Sequence, residues 1–370
     1  WLVGTNAAGA VVYAGGANRI AVEASDATFC GIQGLTVANG GAGNGSPTMG
    51  AGLHLRNMDE VLVSDCVISS NRAGCFGGGV FLGLSTDAAI SNSVIQWNEV
   101  NIADRDQYRY GGGLMTYGSY GVIVDCLVQS NRTTNTIHGF SNTRSAGGGA
   151  AFWGGAMQVV RTVFLRNRAT TMGSDYLEKR GGGVQVVSGA HVMRNCLIIT
   201  NEAYGSWSAN TGFGDGINGD GGTAVLVNVT CAFNQGQGVA RFGGAVAVTN
   251  GILWANGDDV TGTVALTYCD VEDGDSNGVN GCISADPLFV DTTYFHVQSP
   301  KGHYLGGYFS GGSWGGPAAP ASPMIDAGPA GWDFSQEPYP NGKRVNLGAY
   351  GNTPTASKTW KLEGSIYMAH

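Results

Sequence analysis

Apolar and polar residues alternate along most of this chain with a period of two, and the alternation restarts after each run of glycines. Leu53-His54-Leu55, Val80-Phe81-Leu82 and Val184-Gln185-Val186 each come directly after such a run with apolar residues at the first and third places, which predicts strands with one buried face. A further strand closes each repeat, as in Cys66-Val67-Ile68-Ser69-Ser70-Asn71, Ser93-Val94-Ile95-Gln96-Trp97-Asn98 and Cys196-Leu197-Ile198-Ile199-Thr200-Asn201. No segment keeps a 3.6 period over a useful length, so an all-β chain is expected.

The punctuation repeats as well. Asn71, Asn98, Asn131, Asn167, Asn201, Asn234 and, more weakly, Asn256 end the closing strands, while glycine runs begin at Gly77, Gly111, Gly147, Gly181, Gly221 and Gly243. The spacing from glycine run to Asn is 18 or 19 residues in four successive repeats and 12 in the two after, whereas the spacing from Asn to the next glycine run varies throughout, reaching its longest before Gly221. A constant scaffold with one variable corner is the signature of a solenoid, because stacking puts every insertion on the same side. Strands joined in the same order in every repeat, with no room for crossover helices, can pair in parallel only by winding into a β-helix. Residues 1–265 are expected to form the coils. Residues 266–370 lose the rhythm and gather most of the prolines, as an irregular C-terminal cap over the open solenoid end would. No comparable cap precedes the first coil; Trp1-Leu2-Val3 is already strand-like, which leaves an open N-terminal end for self-association.

Each corner has a chemical reason. An Asn inside a bend bonds the turn backbone and the Asn above or below it, so Asn71, Asn98, Asn131, Asn167, Asn201 and Asn234 are read as a structural ladder. The next residue runs Arg72, Glu99, Arg132, Arg168, Glu202, an ion-pair row along the edge. The glycines permit positive φ and close backbone approach; no Lys-Ser or Lys-Thr comes after them, so they are not a phosphate loop. Cys66, Cys126 and Cys196 occupy the place where other repeats have Ser93 and Thr162, and are read as a stacked, buried row. Cys269 and Cys282 bracket a polar loop that a disulfide would close in an oxidising compartment.

Composition narrows the function. Gly is 63 of 370 residues with only 10 Pro and no Gly-X-Y period, which excludes collagen. There is no apolar run of membrane-spanning length. A net charge of −8, with lysine only at 179, 301, 343, 358 and 361, argues against nucleic-acid binding, which needs a basic stripe.

The long loops of consecutive coils should lie side by side, and they carry Tyr108, Arg109, Tyr110, Arg144, Tyr176, Arg180 and Trp207, the aromatic and guanidinium groups of a carbohydrate-binding surface. The alternative is that these loops pack on one another and bury their own aromatics. For an enzyme the same loops offer Asp104, Asp106, Asp175, Glu178, Asp215 and Asp220 as glycosidase carboxyls, and Lys179, Arg180 or His138 as a lyase base; Asp175, Glu178, Lys179 and His138 are the leading candidates. Asp273-Gly274-Asp275-Ser276-Asn277-Gly278 matches the first half of a calcium loop, so Asp273, Asp275 and Asn277 are the metal candidates with calcium as the cofactor; Ser284 stands where an EF-hand needs Glu.

Gly243-Gly244-Ala245-Val246, the Gly-Gly-Gly-Val and Gly-Gly-Gly-Leu runs, and Phe164-Leu165-Arg166-Asn167 resemble the GGA[ILV] and FxxN repeats of polymorphic outer-membrane proteins and related bacterial proteins. Asp286-Pro287-Leu288-Phe289, Ser322-Pro323-Met324-Ile325-Asp326 and Asn346-Leu347-Gly348-Ala349-Tyr350-Gly351 resemble the closing segment of secreted members. This resemblance covers most of residues 30–357 and implies a single-stranded right-handed parallel β-helix, extracellular or at the cell surface. Adhesins, surface proteins and polysaccharide-active enzymes share that fold, so function must be argued from the site. The expectation is a non-catalytic protein binding polysaccharide or a surface protein through its stacked loops, or joining a larger surface assembly. A polysaccharide lyase or glycoside hydrolase is the alternative.

Overall fold

The computed structural model describes residues 1–4, 9–15, 20–41, 49–101, 108–135, 144–172, 178–205 and 212–359. Among them there is no helix, and so none long and apolar enough to cross a membrane. The strands wind into a parallel β-helix whose coils have three faces. One coil supplies Leu114–Tyr117 to the first face, Tyr120–Val124 to the second and Leu127–Gln129 to the third. Each pairs in parallel with its counterparts in both neighbouring coils: Leu114 with Val80 and Ala150, Ile123 with Ile90 and Val159, Val128 with Ile95 and Phe164. In-register stacking makes the period-two apolar positions into continuous columns inside the coil, all of them buried. Each side chain so removed from water contributes about 1.5–3 kcal/mol.

The corners explain the punctuation. Chain reversal at the Asn corner is made by the residue just before it, which has positive φ in every coil: Ser70, Trp97, Ser130, Arg166, Thr200, Phe233 and Ala255. Behind it the ladder runs unbroken from Asn71 to Asn256, each Nδ2 donating to the Oδ1 of the Asn in the next coil. Cys66, Ser93, Cys126, Thr162 and Cys196 form the expected buried row at the corner between the second and third faces, each bonding the carbonyl two residues back. Burial pushes the Cys126 and Cys196 thiols up to about 12, so this row is chemically inert. At the glycine corner Gly111 takes positive φ, and a Cβ on Gly112 would lie 2.4 Å from the Gly148 carbonyl of the next coil.

Two expectations change. The runs at Gly221 and Gly243 do not make this corner: Gly221-Gly222 and Gly243-Gly244 turn the chain between the first and second faces, beside Gly189 and each other. Register identifies the true equivalents, since Val184 pairs with Ile217 and Ile217 with Val239; the triple glycine is continued by Gly214-Asp215-Gly216 and then Gly236-Gln237-Gly238. The apparently longest loop, before Gly221, therefore contains a first-face strand, Ile217–Gly219.

The second change concerns the C-terminal segment. Ala265–Thr267 and Asp270–Val271 still pair with the preceding coil, and Leu266, Cys269, Val271 and Cys282 close the interior. Much of the chain beyond Cys282 lies along the side of the solenoid instead of over its end. Phe289, Phe295, Tyr308, Phe309, Ala349 and Tyr350 pack on Leu127, Val163, Leu165, Leu197, Ile199, Ala232 and Trp254, outward residues of the third face. Asn195 and Asn228 donate to the Gly351 carbonyl, and Asn250 to that of Asn346. The cause is in the sequence: on this face the outward positions Val163, Leu165, Leu197, Ile199, Ala232 and Trp254 are apolar too, so it needs cover on both sides. At the N-terminal end Trp1, Val3, Val11 and Tyr13 are exposed.

Candidate functional site

Outside the three faces, the inserted loops stand on stems of their own. The residues after the first five ladder asparagines, Asn71 to Asn201, form a five-stranded parallel sheet of Arg72–Ala73, Glu99–Val100, Arg132–Asn135, Arg168–Thr171 and Glu202–Gly205. The residues before the glycine corner form a four-stranded sheet of Arg109–Tyr110, Arg144–Ala146, Glu178–Arg180 and Gly212–Phe213. Of the loop candidates, Asp104, Asp106, His138, Asp175, Tyr176 and Trp207 lie outside the described residues; the other loop candidates sit on or beside these stems.

Alternation along Glu178-Lys179-Arg180 sends neighbours to opposite sides. On the outer side Arg144, Glu178, Arg180 and Asp220 close a ring of alternating charge: Arg144 and Arg180 each bond both Glu178 and Asp220. Tyr108 stacks on Tyr110 at 5.9 Å, with the Arg144 guanidinium above Tyr108 and that of Arg180 3.7 Å over Phe242. Arg109, Tyr110 and Arg180 are buried, whereas Tyr108 is 43% and Phe242 56% exposed. Part of the loop chemistry is thus packing, and part is a surface with two open rings. Along the edge Glu99 bridges Arg132 at 2.9 Å and Glu202 bridges Arg168 at the same distance; Arg132 and Arg168 are adjacent in register, so the ion-pair row has a break.

On the inner side lies Lys179. Beyond the coil of Glu202–Gly205 the insertions stop, since only Gln235 and Gly236 separate Asn234 from the strand Gln237–Arg241. The stack of stems ends in a step, and the step is a cleft of ≈ 270 Å³ lined by Lys179, Glu202, Tyr204, Asp215, Gln235 and Gln237. Asp215 occupies the middle corner position held by glycine in the preceding coils. It fits because Gly236 above has no side chain: a Cβ there would be 2.9 Å from the carboxylate, which instead accepts the Gly236 amide at 2.7 Å. Burial, reinforced by the Glu202 charge, pushes Asp215 up to about 6 against the pull of the Ala203 and Gly236 amides and of Lys179. Burial lowers Lys179, opposed by Asp215 and Glu202. Tyr204 is 40% exposed with Arg168 stacked 4.6 Å from its ring centre.

Residues 18–215 match the family model described as the right handed beta helix region. The chain belongs to the right-handed β-helix family. No curated protein and no solved structure matches it. The family fixes the winding of the coils and leaves the ligand to this chain's own side chains.

Sequence reasoning identified Lys179 and Asp215 separately. It missed Glu202, Tyr204, Gln235 and Gln237, and the signal for them was available: the Asn-to-glycine interval collapses after Asn234 once Gly236 is recognised as a corner glycine. The calcium candidates do not line the cleft and lie beyond it, past Asp258, whose amide bonds the Gly236 carbonyl. Asp273 accepts the amides of Asp275 and Asp259, and among the described residues no group of three or more His, Cys, Asp or Glu is arranged to hold a metal.

Proposed function

We propose that this β-helix is a non-catalytic, extracellular or cell-surface glycan-binding protein whose ligand lies along the loop-bearing edge and enters the cleft at the end of the stem stack. The observation that carries this reading is the cleft itself: a polar concavity where a Lys ammonium, two Gln amides and two carboxyl groups converge beside a half-open tyrosine ring. Donors and acceptors mixed around an aromatic edge suit a polyhydroxylated ligand. The exposed rings of Tyr108 and Phe242 continue the edge away from the cleft.

Binding is favoured over cleavage because the two cleft carboxyls are already held, Glu202 by Arg168 and Asp215 by a backbone amide. The raised Asp215 beside the lowered Lys179 is the one feature that favours the alternative, a lyase or hydrolase, since such a pair supplies an acid and a base near neutral pH. Incubation with neutral and acidic polysaccharides, reading retained protein, reducing ends and unsaturated uronates together, separates the two. Retention without product, weakened by Tyr204→Ala, is expected. Product release abolished by Asp215→Asn would replace this reading with the enzyme, and absence of both signals across the polysaccharides would overturn glycan recognition.

A further inference from the structure

We infer that the cleft at the end of the stem stack is a subsite for the carboxylate of an acidic sugar, with the Lys179 ammonium as its counter-ion; this rests on the glycan-binding reading and names the ligand class. Lys179 is only 7% exposed. The guanidinium groups of Arg132, Arg144, Arg168 and Arg180 on the same stems are each paired with a carboxylate, but among the described residues none lies within ion-pair distance of the Lys179 ammonium. The side chain is mostly covered while its ammonium opens on the cleft with no carboxylate of the described residues in ion-pair contact, and a bound anion supplies one. The buried Thr171 hydroxyl beside it also lacks a hydrogen-bond partner. Both converge over the Gly205 Cα: a methyl there would lie 2.6 Å from Lys179 Nζ and 3.0 Å from Thr171 Oγ1. Of the two donors only the Lys179 ammonium lines the cleft, and it is placed to make a charge-assisted contact with one oxygen of a carboxylate.

The charges facing the cleft decide the sign of the ligand and its pH dependence. They are Lys179, Glu202 with Arg168 bound to it, and Asp215. With Asp215 ionised these sum to zero; with Asp215 protonated one positive charge remains. Anion binding is therefore linked to proton uptake at Asp215 and strengthens as pH falls through about 6, where a sugar carboxylate is still ionised.

Isothermal titration of the full chain with oligomers of galacturonate, glucuronate and mannuronate, each against its carboxyl-reduced neutral counterpart, at pH 5.0 and 7.5, tests this. The wild type is expected to prefer at least one acidic oligomer by about tenfold at pH 5.0, the effect of one charge-assisted contact, and less at pH 7.5. Lys179→Gln loses the preference, so that each acidic oligomer binds no more tightly than its neutral counterpart. Gly205→Ala does the same, because the added methyl meets only the flexible lysine tip and a hydroxyl, so the fold tolerates it. Asp215→Asn flattens the pH dependence. An acid preference that survives in both Lys179→Gln and Gly205→Ala overturns the assignment of the counter-ion. Equal binding of acidic and neutral oligomers by the wild type overturns the carboxylate subsite and leaves glycan recognition standing, whereas no binding to any oligomer overturns both.

Discussion

Replacing Asn131 by Ala removes one rung from the middle of the ladder, and the structure gives the cost. The Asn131 side chain is fully buried and makes four hydrogen bonds: it donates to the Ile95 carbonyl at 2.8 Å and to Asn167 Oδ1 at 3.1 Å, and it accepts from the Asn98 backbone amide and Asn98 Nδ2, both at 3.0 Å. These losses are unequal. Asn167 Oδ1 keeps the Asn131 backbone amide and Asn98 Nδ2 keeps the Ile68 carbonyl, but the Asn98 amide is left buried with no acceptor. One stranded amide costs about 1–3 kcal/mol and the other three bonds about 0.5–1.5 each, so a loss of about 5 kcal/mol is expected. Asn131→Asp should cost more, because its second oxygen faces two acceptors in place of two donors. The end rung Asn256 is only partly buried, and Asn256→Ala should cost about 1–2 kcal/mol. Coils can open separately in a solenoid, so urea unfolding should be paired with hydrogen exchange at the Asn98 amide. An Asn131→Ala protein within about 1 kcal/mol of wild type, with that amide still protected, would refute the ladder as a main determinant of coil stability.

Three other outcomes are expected. Ser130 makes its corner with positive φ, so Ser130→Gly should stabilise by up to about 1 kcal/mol, while Gly112→Ala, whose Cβ meets backbone of the next coil, should cost more than about 3; melting curves decide both. Glu337 is buried and pushed up to about 7, so the fold holds its proton while the unfolded chain has released it: stability is greatest below about pH 4 and falls as pH rises to about 7. Glu337→Gln, which keeps the acceptor for the Asn346 and Asn352 amides, should therefore melt with wild type at pH 4 and be more stable by about 3 kcal/mol at pH 8; curves that stay parallel would contradict this. Cys269 and Cys282 meet inside the last turn, the Cys269 amide 3.5 Å from Cys282 Sγ, so equilibration with oxidised glutathione should remove two thiols and protect the 270–281 loop from protease, and a Cys282→Ser protein should show neither effect.

Much of the coil was legible because it depends on contacts that repeat. Period-two alternation, Asn at one corner and glycine at another are each demanded by local geometry, and the same demand recurs in successive coils. Legibility failed where one repeat departs from the rest. Asp215 replaces a glycine and Gln235-Gly236 replaces a loop, so a scan for glycine runs passes over the true corners and stops at Gly221 and Gly243, which turn the chain elsewhere. The cleft was hidden for that reason: it comes from the missing insertion after Asn234 as much as from the residues that line it. Nor does spacing reveal which loop arginines are free. Arg144 and Arg180 look like ligand groups in the sequence, yet they close a ring with Glu178 and Asp220, residues far apart along the chain.

The segment along the third face has a functional consequence. By covering Leu165, Leu197, Ile199 and Trp254 it removes an apolar surface on which other chains could associate, and its anchors Asn195, Asn228 and Asn250 are corner residues of successive coils. It therefore ties three coils together from outside, on the face whose residues Leu197 and Ile199 lead into Asn201 and the cleft residue Glu202. A site formed where a stack of stems ends has neighbours on one side only, and a solenoid is held locally, coil to coil. Clamping these coils is expected to limit their local opening and so to hold the cleft residues in place. The clamp and the cleft are thus coupled through the coils they share. Cutting the anchors by Asn228→Ala together with Asn250→Ala should loosen exchange protection in residues 212–241 before it affects the coils near Asn71, and weaken ligand binding at Lys179 in the same proportion.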